Sequence, residues 1–396
     1  EMKKIISLTL AAVMMLAVFA GCSIQPNPYK DDPELAEQVL HPEESAAPDE
    51  SPAPDESEPA LGHDFAAARA AYDGDMVVAT VNGLEVTWDE YFFWLMSSLM
   101  NLENYVGLVT DFSEDFGGMT YAEYVKDVAE YNCMQYRSVD YFAAQEGITL
   151  SEEGQQALDD QIAYDISAYS PDGTEEGFNA YLEECYTDRE TYDYVNYVSM
   201  LFAEALRHYC GDNFELITDD EALAYADEIG FMCAKHILFK TVDDSYQPLS
   251  DEVIAEKKAL AEQVCAEINA AADPAAVFDE YMAEYNEDTG ASYYPDGYCF
   301  APGEMVAAFE EGTGALAPGE VTAVPVESEY GYHIILRCPL TPDSVYMGQQ
   351  ASIRQLAGTQ KFSDIVDAWF EQTEIVYTEG FEPDVAALFA VKEAAE

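Results

Sequence analysis

The chain has 396 residues, with 16 Lys and Arg against 78 Asp and Glu, which gives a formal net charge of −62 at pH 7. A surface this acidic repels phosphate, so nucleic-acid binding is excluded, and an anionic bilayer would repel it too, so membrane attachment should come from a lipid. The length is enough for two domains, and the charge favours either solubility or attraction to basic unfolded polypeptides and divalent cations.

The N-terminus has the pattern of an exported lipoprotein. Lys3 and Lys4 precede an apolar run over residues 5–20 that is too short to span a membrane comfortably. Small residues and then Cys22 follow, and this segment is similar to a lipobox. We predict a signal peptide over residues 1–21 and lipidation of Cys22. An ordinary signal peptide with an incidental cysteine is the alternative.

Residues 22–65 are rich in Pro, Glu, Asp and Ser, and the sequence A-P-D-E-S at 47–51 recurs at 53–57. Such a segment has too few apolar groups to offset the entropy lost on ordering. We therefore predict a disordered tether whose like charges keep it extended.

Residues 66–229 are predicted to be a mainly helical region that opens with a β-hairpin. Two apolar runs within residues 76–86 flank Asn82-Gly83, a dipeptide typical of hairpin turns. Capping-box spacing, with a glutamate three residues after a threonine, predicts helix starts at Thr87, Thr187 and Thr218.

Residues 230–341 begin and end with a short predicted strand that carries a histidine. His236 stands in A-K-H-I-L-F at 234–239, and His333 stands in Y-G-Y-H-I-I-L at 330–336. Because side chains alternate along a strand, the two histidines can lie side by side on neighbouring strands, facing away from the isoleucines that follow them. Taken alone, each histidine would more simply be a core residue with its hydrogen bonds satisfied.

Between these strands, the run F-A-P-G-E-M at 300–305 is followed by Phe309, and P-G-E-V at 318–321 predicts a turn into a strand. Met305 and Phe309 are four residues apart, so on a helix they would share a face. An apolar face of this kind suits either a core or a binding pocket.

In this order, the motifs resemble a parvulin-type (PpiC) peptidyl-prolyl isomerase domain, and the whole chain resembles a PrsA-like or SurA-like foldase lipoprotein. The resemblance implies that Met305 and Phe309 form a pocket for the proline ring, supported by Phe300. Where that family has a leucine beside the pocket, this chain has Gly297 or Tyr298. The altered loop makes the pocket wider or lines it with Tyr298.

The same resemblance implies the catalytic residues. His236 and His333 match the paired histidines beneath the site, Ser328 matches a hydroxyl that bonds to them, and Asp288 stands where parvulins carry Cys or Asp. Without the resemblance, the acidic surroundings of Asp288 favour a solvated side chain.

After residue 341 the chain returns to helical spacing over 344–373, within a region that we delimit as residues 342–385. The resemblance implies that this helix packs on the N-terminal helices, so that the parvulin domain is inserted between them; a separate tail helix is the alternative. We expect residues from Ala386 onward to fray. The predicted fold class is α+β, a small antiparallel sheet with flanking helices inserted in a mainly helical chaperone domain.

Eight cysteines are present, and lipidation of Cys22 leaves seven. An odd number with irregular spacing does not indicate a disulfide framework, although Cys233 and Cys338 lie at the outer ends of the histidine-bearing strands, where one disulfide would fit. No EF-hand, C-x-x-C or zinc-ligand spacing occurs, so we predict neither a metal site nor a cofactor.

Two functions follow from the resemblance. The first is a peptidyl-prolyl isomerase and foldase for exported proteins, lipid-anchored at the outer face of the cytoplasmic membrane, whose partners are unfolded secreted polypeptides. The second is a holdase chaperone with a degenerate parvulin domain. A solute-binding lipoprotein would need βαβ patterns, which are absent. The 28 Tyr and 19 Phe suit a client groove or the face of a homodimer.

Overall fold

The computed structural model describes residues 61–393 and divides into two compact units. Residues up to Tyr209, together with those from Phe362, form the first unit, and Cys210–Lys361 forms the second. The sequence patterns placed the divisions after residues 229 and 341 instead, and the predicted division into domains stays a prediction. The signal peptide, Cys22 and the tether up to residue 60 lie outside the described residues.

Helices dominate the first part of the chain. They are α1 (Phe65–Arg69), α2 (Trp88–Val106), α3 (Tyr121–Glu146), α4 (Glu152–Tyr169), α5 (Glu175–Glu184) and α6 (Arg189–Cys210). The strands here are β1 (Leu61–His63), β2 (Val77–Val81), β3 (Leu84–Thr87), β4 (Asp115–Phe116) and β5 (Met119–Thr120). None of the helices within residues 61–393 combines the length and the apolar character that crossing a membrane requires.

The predicted hairpin is confirmed. β2 and β3 pair antiparallel, with Val81 opposite Leu84. Asn82 and Gly83 have φ angles of 50° and 84°, the two positive values that a type I′ turn requires. This turn matches the twist of the strands and delivers the chain directly into α2.

The three predicted helix starts have different outcomes. Thr218 forms the complete capping box with Glu221, and Thr87 caps α2 by accepting a hydrogen bond from the backbone N–H of Glu90. The start predicted at Thr187 is that of α6, which begins at Arg189, but its cap is Asp188, which accepts the bond from the N–H of Thr191. A carboxylate one residue later is an equally good cap, and the spacing alone cannot separate the two.

The core of the first unit holds a buried ion pair. α2 contributes large buried rings, Trp88, Tyr91 and Phe92, and packs along α3. Beside them the carboxylate of Glu90 accepts two hydrogen bonds from the guanidinium of Arg137, which also stacks 4.0 Å from the ring centroid of Tyr194. Burial raises the pKa of Glu90 and Arg137 opposes that shift, so the carboxylate depends on its partner.

The second unit is built on a mixed sheet. Its helices are α7 (Asp219–Ile229), α8 (Asp251–Ala270), α9 (Pro274–Tyr285) and α10 (Ala307–Gly314). Its strands are β6 (Met232–Lys240), β7 (Tyr298–Phe300), β8 (Val326–Ser328), β9 (Gly331–Cys338), β10 (Val345–Tyr346) and β11 (Ala351–Ser352). The strand order is β11-β10-β7-β6-β9-β8. The four strands from β7 to β8 are antiparallel as predicted, and the short strand β10 adds one parallel pairing beside β7.

The two faces of this sheet have different partners. Ile237 and Phe239 of β6 and Ile334 of β9 pack with the buried residues of α8 and α9. Ala234 and Ile335 face the other way, into a smaller apolar cluster with Phe309 of α10. The period-2 alternation of the sequence is therefore expressed as two separate cores, and the histidines lie on the second face.

The C-terminal region differs from the prediction at both ends. The helix is α11 (Ile353–Glu371), shorter than the predicted 344–373 because β10 and β11 pair with each other first. It is followed by β12 (Ile375–Tyr377), α12 (Val385–Leu388) and β13 (Val391–Glu393). Within the first unit, the ring of Trp369 stacks on that of Phe142 with centroids 5.7 Å apart, and the ring of Phe362 lies 4.9 Å from that of Phe202.

The fraying predicted from Ala386 onward is contradicted for the described residues up to Glu393. β13 pairs with β1, and the side chain of Phe389 is fully buried. For the same reason, the predicted tether over 22–65 extends too far, since Leu61–His63 is a strand of that pair. β12 pairs with β2 and completes a three-stranded sheet.

We expect Arg137→Met to destabilise the first unit by about 3–5 kcal/mol, because it leaves the buried Glu90 carboxylate without its partner. The matched control is Arg189→Met, whose more exposed pair with Asp193 should be worth about 0.5 kcal/mol or less. Chemical denaturation monitored by tryptophan fluorescence measures both. Equal losses in the two variants would contradict the assignment of the buried pair.

Candidate active site

The two predicted histidines meet on one face of the sheet. β6 and β9 are neighbours, with His236 opposite Ile335 and Leu238 opposite His333, so the histidines are diagonal partners. Their Nδ1 atoms lie 2.9 Å apart, and their rings stack with centroids 5.2 Å apart and 11° between the planes. Both side chains are buried, as alternation along the two strands predicts.

The pair continues into hydrogen bonds at both ends. The Nε2 of His236 lies 2.8 Å from a carboxylate oxygen of Asp288, and the Nε2 of His333 lies 2.6 Å from the hydroxyl of Ser328. The Ser328 oxygen in turn accepts the backbone N–H of Tyr330 at 3.1 Å. Four side chains thus form a continuous chain across β6, β9, β8 and the segment after α9.

The segment that carries Asp288 is docked on β6 by its backbone. The side-chain oxygen of Asn286 accepts the N–H of Leu238 at 2.8 Å, and the N–H of Glu287 donates to the carbonyl of Leu238 at 2.9 Å. These two bonds place Asp288 beside His236. Asn286 has this positioning contact without being predicted from the sequence, because its only local signal is the end of α9.

Asp288 is not a solvated member of an acidic run, so that interpretation is wrong. Its side chain is 21% exposed and caps the 3₁₀ turn Thr289–Tyr293 by accepting the N–H of Gly290 at 2.9 Å. The oxygen that accepts from His236 also accepts the hydroxyl of Tyr298 at 2.6 Å. Burial alone would raise the pKa of Asp288, but these hydrogen bonds outweigh it and hold the pKa well below its usual value.

The proton positions follow from this network. Burial, and then the neighbouring His236, lower the pKa of His333 to about 3, so its ring is neutral at ordinary pH. When both rings are neutral, His236 donates from Nε2 to the carboxylate and accepts at Nδ1 from the Nδ1–H of His333. The Nε2 of His333 then accepts from Ser328. Every polar side-chain atom of these four residues has a partner, and each hydrogen bond is donated in the direction from Ser328 toward Asp288.

The apolar half of the site lies against the histidines. The ring of Phe309 is 5.2 Å from that of His236 and 5.7 Å from that of His333, and Phe300 is 5.8 Å further along. Phe300 and Phe309 are 0% and 1% exposed, whereas Met305 is partly exposed at the border of the same cluster. The predicted pocket residues therefore come together, with the two rings as its floor.

Met305 reaches this cluster from a loop. α10 begins at Ala307 with Val306 as its N-cap, so the prediction that Met305 and Phe309 share a helix face is wrong. The carboxylate of Glu310 accepts the backbone N–H of Met305 at 2.9 Å and that of Gly303 at 2.8 Å, which fixes the loop. This second positioning residue was also missed, because its partners are backbone groups.

The structure shows why the loop before β7 carries Gly297 and Tyr298. Gly297 has a φ of 104°, and a Cβ there would come within 3.0 Å of the carbonyl oxygen of Ala234, so a leucine is excluded at this position. Tyr298 follows with a buried ring 5.6 Å from that of His236 and 4.8 Å from that of Tyr294. Tyr298 thus joins the apolar cluster to the carboxylate, a link that its predicted place in the pocket wall did not include.

The arrangement combines an apolar cluster with a series of hydrogen-bonded polar side chains. Within residues 61–393 no three His, Cys, Asp or Glu side chains are placed to hold a metal. All eight predicted site residues converge here: His236, Asp288, Ser328, His333, Tyr298, Phe300, Met305 and Phe309.

Comparison with known proteins agrees with this geometry. Residues 236–338 match the family described as a Rotamase, PPIC-type PPIASE domain. The chain is 29% identical to Foldase protein PrsA 3 of Bacillus anthracis over 175 residues, which is 41% of this chain and 60% of that protein. It is 31% identical to Chaperone SurA of Thiobacillus denitrificans over 140 residues, 35% of this chain and 29% of that protein.

Among solved structures, PrsA from Bacillus cereus aligns with 76% of this chain and 92% of that chain, at 16% identity and a TM-score of 0.27, too loosely to add to the fold described above. The chain spans 60% or less of the length of the two curated relatives named here. Residues 236–338 are a parvulin-type, PPIC-type peptidyl-prolyl isomerase domain, set in a chain that is similar to PrsA-like and SurA-like foldases.

Proposed function

We propose that the chain is a peptidyl-prolyl cis-trans isomerase that assists the folding of exported polypeptides. The observation that carries the proposal is the hydrogen-bonded chain from Asp288 through His236 and His333 to Ser328, which lies directly beneath the apolar cluster of Phe300, Met305 and Phe309. The match of residues 236–338 to a PPIC-type domain supports it.

The reaction needs no covalent step. Rotation about the X-Pro bond is opposed by roughly 18–20 kcal/mol because it breaks amide resonance. A protein lowers this barrier by holding the proline ring on an apolar surface, removing water from the imide and binding the twisted state more tightly than the planar one. Met305 and Phe309 would supply the surface, and the four-residue hydrogen-bonded chain would hold the floor rigid.

Two of the polar groups keep a fixed charge that suits this role. Asp288 stays ionised and His333 stays neutral through the physiological range, as the directions of their pKa shifts require. Asp288 and His333 therefore present the same charges to the substrate across this range. Tyr298 would stabilise it from the pocket side by donating to Asp288.

The clients of the enzyme would be unfolded polypeptides, and its location would be the outer face of the cytoplasmic membrane. Relatives carry the names foldase and chaperone, which supports unfolded secreted polypeptides as clients, and the charge of −62 would attract basic ones. A lipid on Cys22 would hold the chain at the outer face of the cytoplasmic membrane. Exposed apolar side chains in the first unit, such as Met100 and Tyr164, would serve as a client surface or as the face of a homodimer.

A holdase chaperone with a weak isomerase is the second candidate, and one observation favours it. Phe300 and Phe309 are almost completely buried, so most of the apolar floor is covered in the absence of substrate. Only its partly buried members, such as Met305 and Tyr294, remain accessible at the border. Under this alternative the second unit would serve mainly as structure.

We expect Met305→Ala to lower kcat/KM for a proline-containing peptide by about 10- to 100-fold. The estimate converts the roughly 1.5–3 kcal/mol of a buried methionine side chain into rate. A protease-coupled isomerase assay gives the measurement. Met282→Ala is the matched control, because Met282 is also partly buried but packs on the opposite face of the sheet.

Suppression of aggregation of a reduced, unfolded client, measured on the same variants, separates the two candidates. The isomerase proposal expects Met305→Ala to keep this holding activity. Full isomerase activity in Met305→Ala would contradict the assignment of Met305 to the pocket, whereas the absence of activity in the folded parent chain would leave the holdase as the function.

The pH dependence of stability follows from His333. Its folded pKa of about 3 lies below the ordinary histidine pKa of 6.5, so the unfolded state binds the proton more readily. The stabilisation is complete above about pH 6.5 and is lost as pH falls toward the folded pKa. Between about pH 7 and pH 4.5 the loss from this residue should be about 2–3 kcal/mol.

Urea denaturation of the parent chain and of His333→Gln at both pH values tests this. We expect a smaller loss on acidification in the variant, because glutamine does not titrate; carboxylates elsewhere contribute equally to both chains. Identical losses would show that His333 is not the group that is held neutral.

A further inference from the structure

Three cysteines lie in a row across the sheet of the second unit. Cys233 on β6 is directly opposite Cys299 on β7 and directly opposite Cys338 on β9. All three thiols are free. Directly opposite residues point to the same face of a sheet, and each cysteine is an odd number of residues from its nearest site residue. The row therefore lies on the face away from His236 and His333.

Either neighbouring pair has the spacing of a disulfide. Directly opposite residues of antiparallel strands have Cα atoms about 4.5–5.5 Å apart, and disulfides form at about 4.4–6.8 Å. Access to solvent separates the two pairs. Cys299 is 0% exposed and Cys233 is 5% exposed, whereas Cys338 is partly exposed at the last position of β9.

Electrostatics assigns different roles to Cys338 and Cys233. A hydrogen bond from the Cys233 thiol lowers the pKa of Cys338 to about 7, against the effect of burial, and the backbone N–H and the charge of Lys235 act in the same direction. The same bond raises the pKa of Cys233, and burial raises that of Cys299 to about 11. Since the thiolate is the nucleophile, Cys338 should react first.

We propose that Cys338 is a thiol-modification site for low-molecular-weight disulfides, and that Cys233 resolves the resulting adduct into a Cys233–Cys338 cross-link. The Cys338 thiolate attacks one sulfur of the small disulfide, forms a mixed disulfide and releases one small thiolate. Cys233 then loses its proton to that thiolate, attacks the sulfur of Cys338 and releases the second small thiolate, which takes up the proton that Cys338 lost on ionising. Two protein thiols are oxidised and one small disulfide is reduced to two thiols.

The cross-link would tie together the two strands that carry the histidines without touching the site. Cys233 is three residues from His236 and Cys338 is five residues from His333, on the other face in both cases. The bond would close a long loop of the second unit, which restricts the unfolded chain more than the folded one. Oxidation should therefore raise the unfolding temperature while leaving isomerase activity, if present, within about twofold, because the site faces away from the row.

The test uses the reduced full chain with glutathione disulfide, followed over time by intact mass and by peptide mapping under non-reducing conditions. We expect a transient glutathione adduct on Cys338, then loss of two hydrogens and a peptide pair joined through Cys233 and Cys338. Cys185, also partly exposed, is the internal comparison and should react more slowly. The oxidised chain should unfold about 5 °C or more above the reduced chain, reversed by dithiothreitol.

Variants fix the order of events. Cys233→Ser should stop at the adduct on Cys338, and Cys338→Ser should form neither an adduct within the row nor the cross-link. Cys299→Ala is the matched control and should behave like the parent chain. A Cys233–Cys299 cross-link, equal labelling of Cys185 and Cys338, or reaction only after denaturation would each overturn the proposal, and the parent chain alone is enough to reveal any of the three.

Discussion

The antiparallel pairing of β6 with β9 is the interaction on which the rest of the site depends. It brings together His236 and His333, which are 97 residues apart in the chain, and it sets them diagonally so that their Nδ1 atoms meet. A slip of one residue in this pairing would turn every side chain of one strand to the other face. Burial of Ile237 and Ile334 beneath α8 and α9 opposes such a slip, so the packing of one face fixes the geometry of the other.

The hydrogen-bonded series from Asp288 to Ser328 can lie in an apolar environment because its polar groups are hydrogen-bonded and its charge is at one end. An isolated buried charge is expensive, but here the charge lies on Asp288 at the edge, where His236, Tyr298 and Gly290 donate to it. The inner ring of His333 carries no charge. The first unit solves the same problem differently, with a charged pair between Glu90 and Arg137, and accepts the dependence of each partner on the other.

The sequence predicted the parts of the structure that have local signals. The Asn82-Gly83 turn, the two histidine-bearing strands and the Thr218 cap each depend on a few adjacent residues, and each appears as expected. The pairings of β1 with β13 and of β2 with β12 were missed because they join residues about 300 positions apart and leave no local pattern.

Positions in the candidate site divide in the same way. The residue types were predictable, but the orientation of Asp288 was not, because it is set by Asn286 and Glu287 binding the backbone of β6. The helix start near Met305 was misplaced because the carboxylate of Glu310, five residues later, holds the loop open by accepting its backbone N–H groups. Both features come from tertiary hydrogen bonds to the main chain, which composition and spacing do not encode.

The altered loop before β7 changes the apolar surface of the pocket and adds a hydrogen bond to the polar side chains beneath it. Position 297 is a glycine because its backbone passes too close to Ala234 for a side chain, so the pocket has less apolar surface there. Tyr298 uses its single hydroxyl proton on Asp288, so it has no proton left to donate to a substrate. The altered loop is the feature that favours a degenerate domain. It nevertheless gives the Asp288 carboxylate one more hydrogen-bond donor and removes none of the four polar side chains. Access of a proline ring to Phe309 therefore depends on the partly buried residues at the border of the cluster, Met305 and Tyr294 among them.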